Sequence, residues 1–243
     1  ATDRILTLTG DSTEIDVKSS MSITSNIVGP NSVFVKSGPG QLNLVYPGEY
    51  GYKETVVKEG ILSQGNYLTY FGAKNSKMTL AGGTVKLIEN NNMNTIPSYT
   101  YPTEVKENTE NVIVGTFRSN ILGTFTGKGT VTIYGGGDRC AIHSDFSKFE
   151  GTLKLQGANS MWRETVTDMP LTDVVIDGKL SLYRINKRYA AQSNKGGTLG
   201  SLASTYSDAQ LGAGIWTIGA NNHDAVFNGK LVSGSTVTQV GSG

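Results

Sequence analysis

A glycine followed by alternating apolar and polar residues recurs along this chain. Full copies are Gly40-Gln41-Leu42-Asn43-Leu44, Gly83-Thr84-Val85-Lys86-Leu87, Gly129-Thr130-Val131-Thr132-Ile133, Gly151-Thr152-Leu153-Lys154-Leu155, Gly178-Lys179-Leu180-Ser181-Leu182 and Gly214-Ile215-Trp216-Thr217-Ile218. Shorter copies are Gly60-Ile61-Leu62 and Gly229-Lys230-Leu231. Glycines 40 and 60 are 20 residues apart, 60 and 83 are 23, 129 and 151 are 22, and 151 and 178 are 27. The 46 residues from Gly83 to Gly129 equal two units of 23. A soft period in the low twenties is the mark of solenoids and parallel β-helices.

The physics of the unit is direct. Alternation turns one face of a short strand inward and the other outward. Such a strand cannot bury its apolar face alone. Stacking it on the same strand of the next turn closes the backbone hydrogen bonds and aligns Leu, Val and Ile in one core. The glycine before each strand suits a tight corner. The fold class expected is therefore all-β: a parallel β-helix with loop insertions, forming one domain over residues 1–243.

Composition agrees. The chain has 31 Gly, 6 Pro and 17% charged residues, which suits many short strands and turns. The one helical candidate, residues 201–211, is short and rich in polar and β-branched residues. Three stretches break the rhythm and are expected to be insertions: residues 88–111, 157–170 and 184–213. With 21 basic against 20 acidic residues, net +1, the chain has no clustered basic excess of the kind nucleic acid requires. The single cysteine, Cys140, excludes an intrachain disulfide and is expected to be a small buried residue. No apolar run approaches the roughly 18 residues of a membrane helix. The opening residues show no basic region followed by an apolar one, so no signal peptide is read there.

The repeats also carry a resemblance. "VFVKSGPGQLNL" from Val33, "GEYGYKETVVKEGIL" from Gly48 and "LAGGTVKL" from Leu80 resemble the autotransporter-associated repeat. Tyr52 stands at that repeat's turn tyrosine, while Lys53-Glu54 replaces the usual Thr-Gly-Gly. "IWTIGANNHDAVFNGKL" from Ile215 resembles a related unit of large bacterial surface proteins. The resemblance covers about two-thirds of the chain at the level of pattern. It implies a right-handed, pectin-lyase-like parallel β-helix from a long secreted or surface-anchored bacterial protein. It does not carry an activity with it. The final "STVTQVGSG" parallels "SVFVKSGPG" from Ser32, and no capping repeat is visible. The chain is accordingly expected to be a fragment of a longer array with neighbouring domains.

Candidate chemistry is sparse. His143 and His223 each precede an Asp and a Phe-x-Gly-x-Leu run: Phe149-Glu150-Gly151-Thr152-Leu153 and Phe227-Asn228-Gly229-Lys230-Leu231. A site is normally built once and a structural unit many times. The expectation is that His223 and Asp224 are turn residues, helped by Asn221 and Asn222, with Phe227 and Leu231 buried at the strand entry. Zinc would need three or four converging ligands, so no metal is expected. Resemblance to the pectin-lyase-like shape also raises lyases and polygalacturonases. Their Gly-His-Gly, Asp-Asp and Asn-Thr-Asp motifs are missing from the sequence. Asp145 with Glu150, or Asp173 with Asp177, remain possible carboxylate pairs for glycoside hydrolysis. Gly135–Gly137 lacks the Gly-Lys-Ser/Thr of a phosphate loop. No catalytic residue and no cofactor are assigned.

The best binding candidates are aromatic. Tyr99 and Tyr101, and Trp162 beside Arg163, fall in expected insertions. There they would stack on sugar rings, the alternative being that they pack beneath their own loops. Two functions therefore stand: a non-catalytic stalk or passenger segment of an adhesin-like protein, extracellular or on the cell surface, or a carbohydrate-binding β-helix. The partners expected are glycans or host-surface molecules, with no nucleic acid and no membrane insertion by this segment.

Overall fold

The structure, a computed structural model, describes residues 4–65, 69–88, 96–115, 119–135, 140–157, 160–162, 168–178, 181–182 and 196–243. These residues form a β-solenoid of about nine turns, with parallel strands and no helix. The suggested helix at 201–211 is instead the end of the strand Gly196–Ala203, a turn, and the strand Gln210–Leu211.

Each turn runs from an eight-stranded first sheet into an eleven-stranded second sheet. From Ser98 onward a short third strand closes the turn, in a four-stranded sheet and then a three-stranded one. Every strand pair is parallel, because each strand lies one turn below its successor. The strands Met169–Asp177 and Gly196–Ala203 bend across the corner. The former packs on both Asp145–Phe149 of the first sheet and Thr152–Gln156 of the second. Later rungs stack on the first half of Gly196–Ala203, with Gly196–Leu199 opposite Ile215–Ile218 and Gly214–Ile218 opposite Ser235–Gln239.

Inward positions align from turn to turn. One column of the second sheet is Met21, Leu42, Leu62, Val85, Ile113, Ile133, Leu155 and Ile176. Beside it runs Asn111, Val131, Leu153, Val174 and Leu202. Apart from Met21 at the open end these side chains are buried. The buried Asn111 satisfies its amide locally: it donates to Thr109 and to the carbonyl of Thr130, and accepts from Gly82 N–H. Within the core, aromatic rings contact one another in two runs, some stacked and some edge to face. Phe34, Tyr52 and Tyr50 form one, and Phe71, Tyr101, Tyr99, Phe125, Phe146 and Phe149 the other. Leu153 and Trp216 are core as expected, and Ile218 packs against that core; Leu180 lies outside the described residues.

Several boundaries move. The 88–111 stretch contains the regular strands Ser98–Tyr99 and Thr103–Val105 and the start of Glu110–Gly115; only 89–95 lies outside the described residues. The sequence hid this turn because Asn111, not an aliphatic residue, heads its strand. Gly83 and Gly129 are indeed two turns apart, but the turns are unequal. The turn that stacks Thr84 on Val112 is long, and the next, which stacks Glu110 on Thr130, is short. Similarly, 157–170 holds the strand Ser160–Trp162, and 184–213 holds Gly196–Ala203 and Gln210–Leu211.

The corner glycines also work differently from the expectation at most positions. Gly60 does need its left-handed φ of 64°. Gly129 and Gly151 do not; they are small because neighbouring turns nearly touch. A Cβ on Gly151 would lie 2.0 Å from the carbonyl oxygen of Gly129, and one on Gly129 would lie 2.1 Å from that of Lys106.

Candidate functional site

The aromatic candidates separate at once. Tyr99 and Tyr101 are buried, so they offer no ring face to a sugar. Their hydroxyls serve the core: Tyr99 pairs with Thr103 Oγ1 at 2.6 Å, and Tyr101 accepts from Phe71 N–H at 2.6 Å. Burial raises both phenols above the ordinary tyrosine range. They pack as the alternative reading supposed, but within regular turns. Trp162 belongs to the backbone of the strand Ser160–Trp162, and Arg163 lies outside the described residues.

The two histidines occupy different corners. His143 joins a third-sheet strand, Cys140–Ile142, to the first-sheet strand Asp145–Phe149. His223 follows Gly214–Ile218 and precedes Phe227, which bridges Ser204. The two Phe-x-Gly-x-Leu runs are therefore not equivalent in space. Thr152-Leu153 enters the second sheet, whereas Lys230-Leu231 enters the three-stranded sheet. Leu231 is 56% exposed, against the expectation of burial, and Phe227 is partly buried against the core.

The turn at residues 221–223 is built as its composition suggested. Asn222 takes a left-handed φ of 60°, a conformation Asn tolerates. The Asn221 side chain accepts from His223 N–H at 3.2 Å. Asp224 is exposed. The partner of His223 is instead Asp173, far upstream at the corner of the strand Met169–Asp177. His223 Nδ1 lies 3.0 Å from both carboxylate oxygens. Ser201, in register with Asp173 on the next rung, donates to it at 2.6 Å, and Asn221 donates at 2.8 Å.

Three polar side chains from the two following turns, those of Ser201, Asn221 and His223, thus meet around one carboxylate, that of Asp173. Burial alone would raise the pKa of Asp173. The hydrogen bonds from Ser201, Asn221 and His223, with the charge of a protonated His223, outweigh burial and hold it below the usual carboxylate range. A carboxylate only accepts, so His223 Nδ1–H is the donor to Asp173, and the 3.1 Å approach of the Asn221 amide nitrogen to the same Nδ1 is then a contact rather than a hydrogen bond. Ser201 gives its hydroxyl proton to Asp173 rather than to the imidazole, which is not the arrangement of an activated nucleophile.

Next to this cluster, the last described turn carries an open pocket of about 230 Å³. Leu202, Leu211, Ile218, Phe227, Leu231 and His223 are among the residues that line it.

The carboxylate pairs fare less well. Asp173 and Asp177 are four residues apart on one strand, their Cα atoms about 13 Å apart, and the Asp173 carboxylate is engaged by Ser201, Asn221 and His223. Asp177 accepts from Gln156. Glu150 pairs with Lys128, and Asp145 accepts from Ser147 N–H. Among the described residues, no group of three or more His, Cys, Asp or Glu could hold a metal ion. Residues 136–139, with two of the three glycines of the suspected loop, lie outside the described residues.

Sequence reasoning missed Asp173 as the partner of His223. The signal was present, because the separation of the two residues spans one long turn and one short turn. It becomes legible only once the turn lengths are known. No family model, curated protein or solved structure matches this chain.

Proposed function

We propose that this chain is a non-catalytic structural segment, a stalk or passenger β-helix, of a large secreted or surface-exposed bacterial protein. The observation that carries this reading is the continuity of the core. Inward columns and aromatic runs pass from turn to turn, and Tyr99 and Tyr101, two of the aromatic residues that the sequence offered for sugar binding, are spent on that core. A stack of this kind sets a distance and presents outward side chains, which is the work of a spacer. Immunolabelling of cells that produce the parent protein tests the location. Staining of intact cells is expected; staining only after permeabilisation would overturn the reading.

One observation favours carbohydrate binding as a second reading. On the outer face of the second sheet, Tyr134, 44% exposed, is in register with Gln156, which is in register with Asp177. An exposed ring beside an amide and a carboxylate is a chemistry suited to a sugar. Glycan-array binding by the parent chain that disappears in Tyr134→Ala would select this reading over a passive spacer.

A further inference from the structure

In a stack whose rungs touch only their neighbours, turns separate one at a time. Most of this chain obeys that rule, since each strand bonds the rung below and the rung above. The corner at Asp173 breaks it. Asp173 stands opposite Ser201 on the next rung, and Asn221 N–H donates to the carbonyl of Gly200 from the rung after that. The Asn221 amide and the His223 imidazole therefore reach the Asp173 carboxylate across an intervening turn, at 2.8 and 3.0 Å. The rungs they join are two strand spacings apart, roughly 9.6 Å. Short side chains close such a gap only if nothing stands between them. Gly200 supplies the opening: a Cβ there would lie 2.7 Å from Asn221 Nδ2 and 2.6 Å from the carbonyl oxygen of Thr172.

Lys58 with Glu14 at 2.8 Å and Lys154 with Glu110 at 3.5 Å also skip a turn. Both are ion pairs of long side chains open to solvent, and such pairs contribute little. The Asp173 corner differs in three respects. Its hub is a carboxylate with only 29% of its side chain exposed. Ser201, which donates to that carboxylate at 2.6 Å from the middle turn, is buried, so three successive turns share one network. The two outer arms are also fixed at their base, because Asn222 between them holds a φ of 60° and Asn221 Oδ1 accepts from His223 N–H. Hydrogen bonds to an ionised group are the strong kind. Lifting the outer turn breaks those of Asn221 and His223 together.

We propose that the Asp173 corner is a clamp that makes the turns carrying Met169–Asp177, Gly196–Ala203 and Gly214–Ile218 open as one unit instead of one by one. The clamp needs no ligand and does not depend on the spacer reading. The test is native-state hydrogen exchange on the full chain, followed by NMR at rising denaturant below the unfolding transition. Amides of the three strands should share one opening free energy and one denaturant dependence. In Asp173→Ala they should separate. Gly214–Ile218 should then exchange at least on the order of tenfold faster than in the parent, the loss of hydrogen bonds to a charged group. Its denaturant dependence should also fall, because a smaller unit exposes less surface on opening. Lys154→Ala, which cuts an exposed tie, should leave the unit whole. If Asp173→Ala does not fold, Asn221→Ala combined with His223→Ala takes its place, since it removes both arms and keeps the hub. Turn-by-turn opening in the parent, three strands that speed up alike and stay together in the variants, or division of the unit by Lys154→Ala would overturn the proposal.

Discussion

Cys140 shows how completely a single side chain can be absorbed by the solenoid. It is buried, and burial pushes its thiol up to about 11. The thiolate is the reactive form, so at pH 8 the native chain should react with a thiol reagent roughly two orders of magnitude more slowly than the unfolded chain. Comparable rates in both states would mean that the Cys140 strand opens freely. Lys36 makes the opposite compromise. Its ammonium is buried, and it donates to the carbonyls of Ser37, Gly38 and Glu59 at 2.8, 2.8 and 2.9 Å. Burial pushes its pKa below the ordinary lysine range, while three acceptors from two turns keep the charge solvated by backbone. Asp173 gives a pH prediction. Its folded pKa lies below its unfolded value, so its contribution is complete above the unfolded pKa of about 3.9 and is lost as pH falls through the folded value. Thermal melts should show the parent losing stability below about pH 4 more steeply than Asp173→Asn. Parallel pH slopes would remove the His223–Asp173 pair from the stability of that corner.

At the scale of the element, the column governs. Leu153 sits between Val131 and Val174 and is fully buried. Leu153→Ala should cost about 2–5 kcal/mol in chemical denaturation; a loss under half a kcal/mol would place the side chain at the surface instead. Gly151→Ala should also destabilise, by more than about 1 kcal/mol, because its Cβ would meet the carbonyl of Gly129 rather than because of its φ. The strands themselves were legible in sequence: alternation at Gly151–Leu155 or Gly40–Leu44 states which side chains turn inward. What alternation cannot state is the length of the path between strands. A polar residue at a core position, as at Asn111, erased one turn from the pattern. The unequal turns hid the meeting of Asp173 with His223, and the repeated Phe-x-Gly-x-Leu suggested an equivalence that the corners do not share. Tyr99 and Tyr101 were misplaced for the same reason: residues in an unrecognised turn look like residues in a loop.

For the whole molecule, about nine turns at roughly 4.8 Å each give a stack about 40 Å tall. About seven residues per side at roughly 3.3 Å each give faces near 22 Å. Small-angle scattering should therefore report an axial ratio near two, with far-UV circular dichroism showing β structure and no helical bands. A sphere, or a thin rod, would contradict the stacking. Protection should also be graded, since stability in a stack is summed between neighbours. Amides of Ser235–Gln239, whose side chains are largely exposed, should exchange before those of Thr152–Gln156, which lie between two bonded rungs.

The register along the second sheet has a consequence for how such a chain can change. The path from Gln41 to Ile61 is short, that from Ile61 to Thr84 is longer, and that from Thr84 to Val112 is longer again. The column Leu42, Leu62, Val85, Ile113 nevertheless runs through all three steps unbroken. The molecule counts rungs, not residues. A corner can therefore acquire or shed amino acids without dislodging the rungs above it, and recombination that removes one whole rung leaves its neighbours able to close on each other. Variation among descendants of this chain should accordingly appear as differences in corner length and in rung number, while inward positions within a rung change only in step with those above and below.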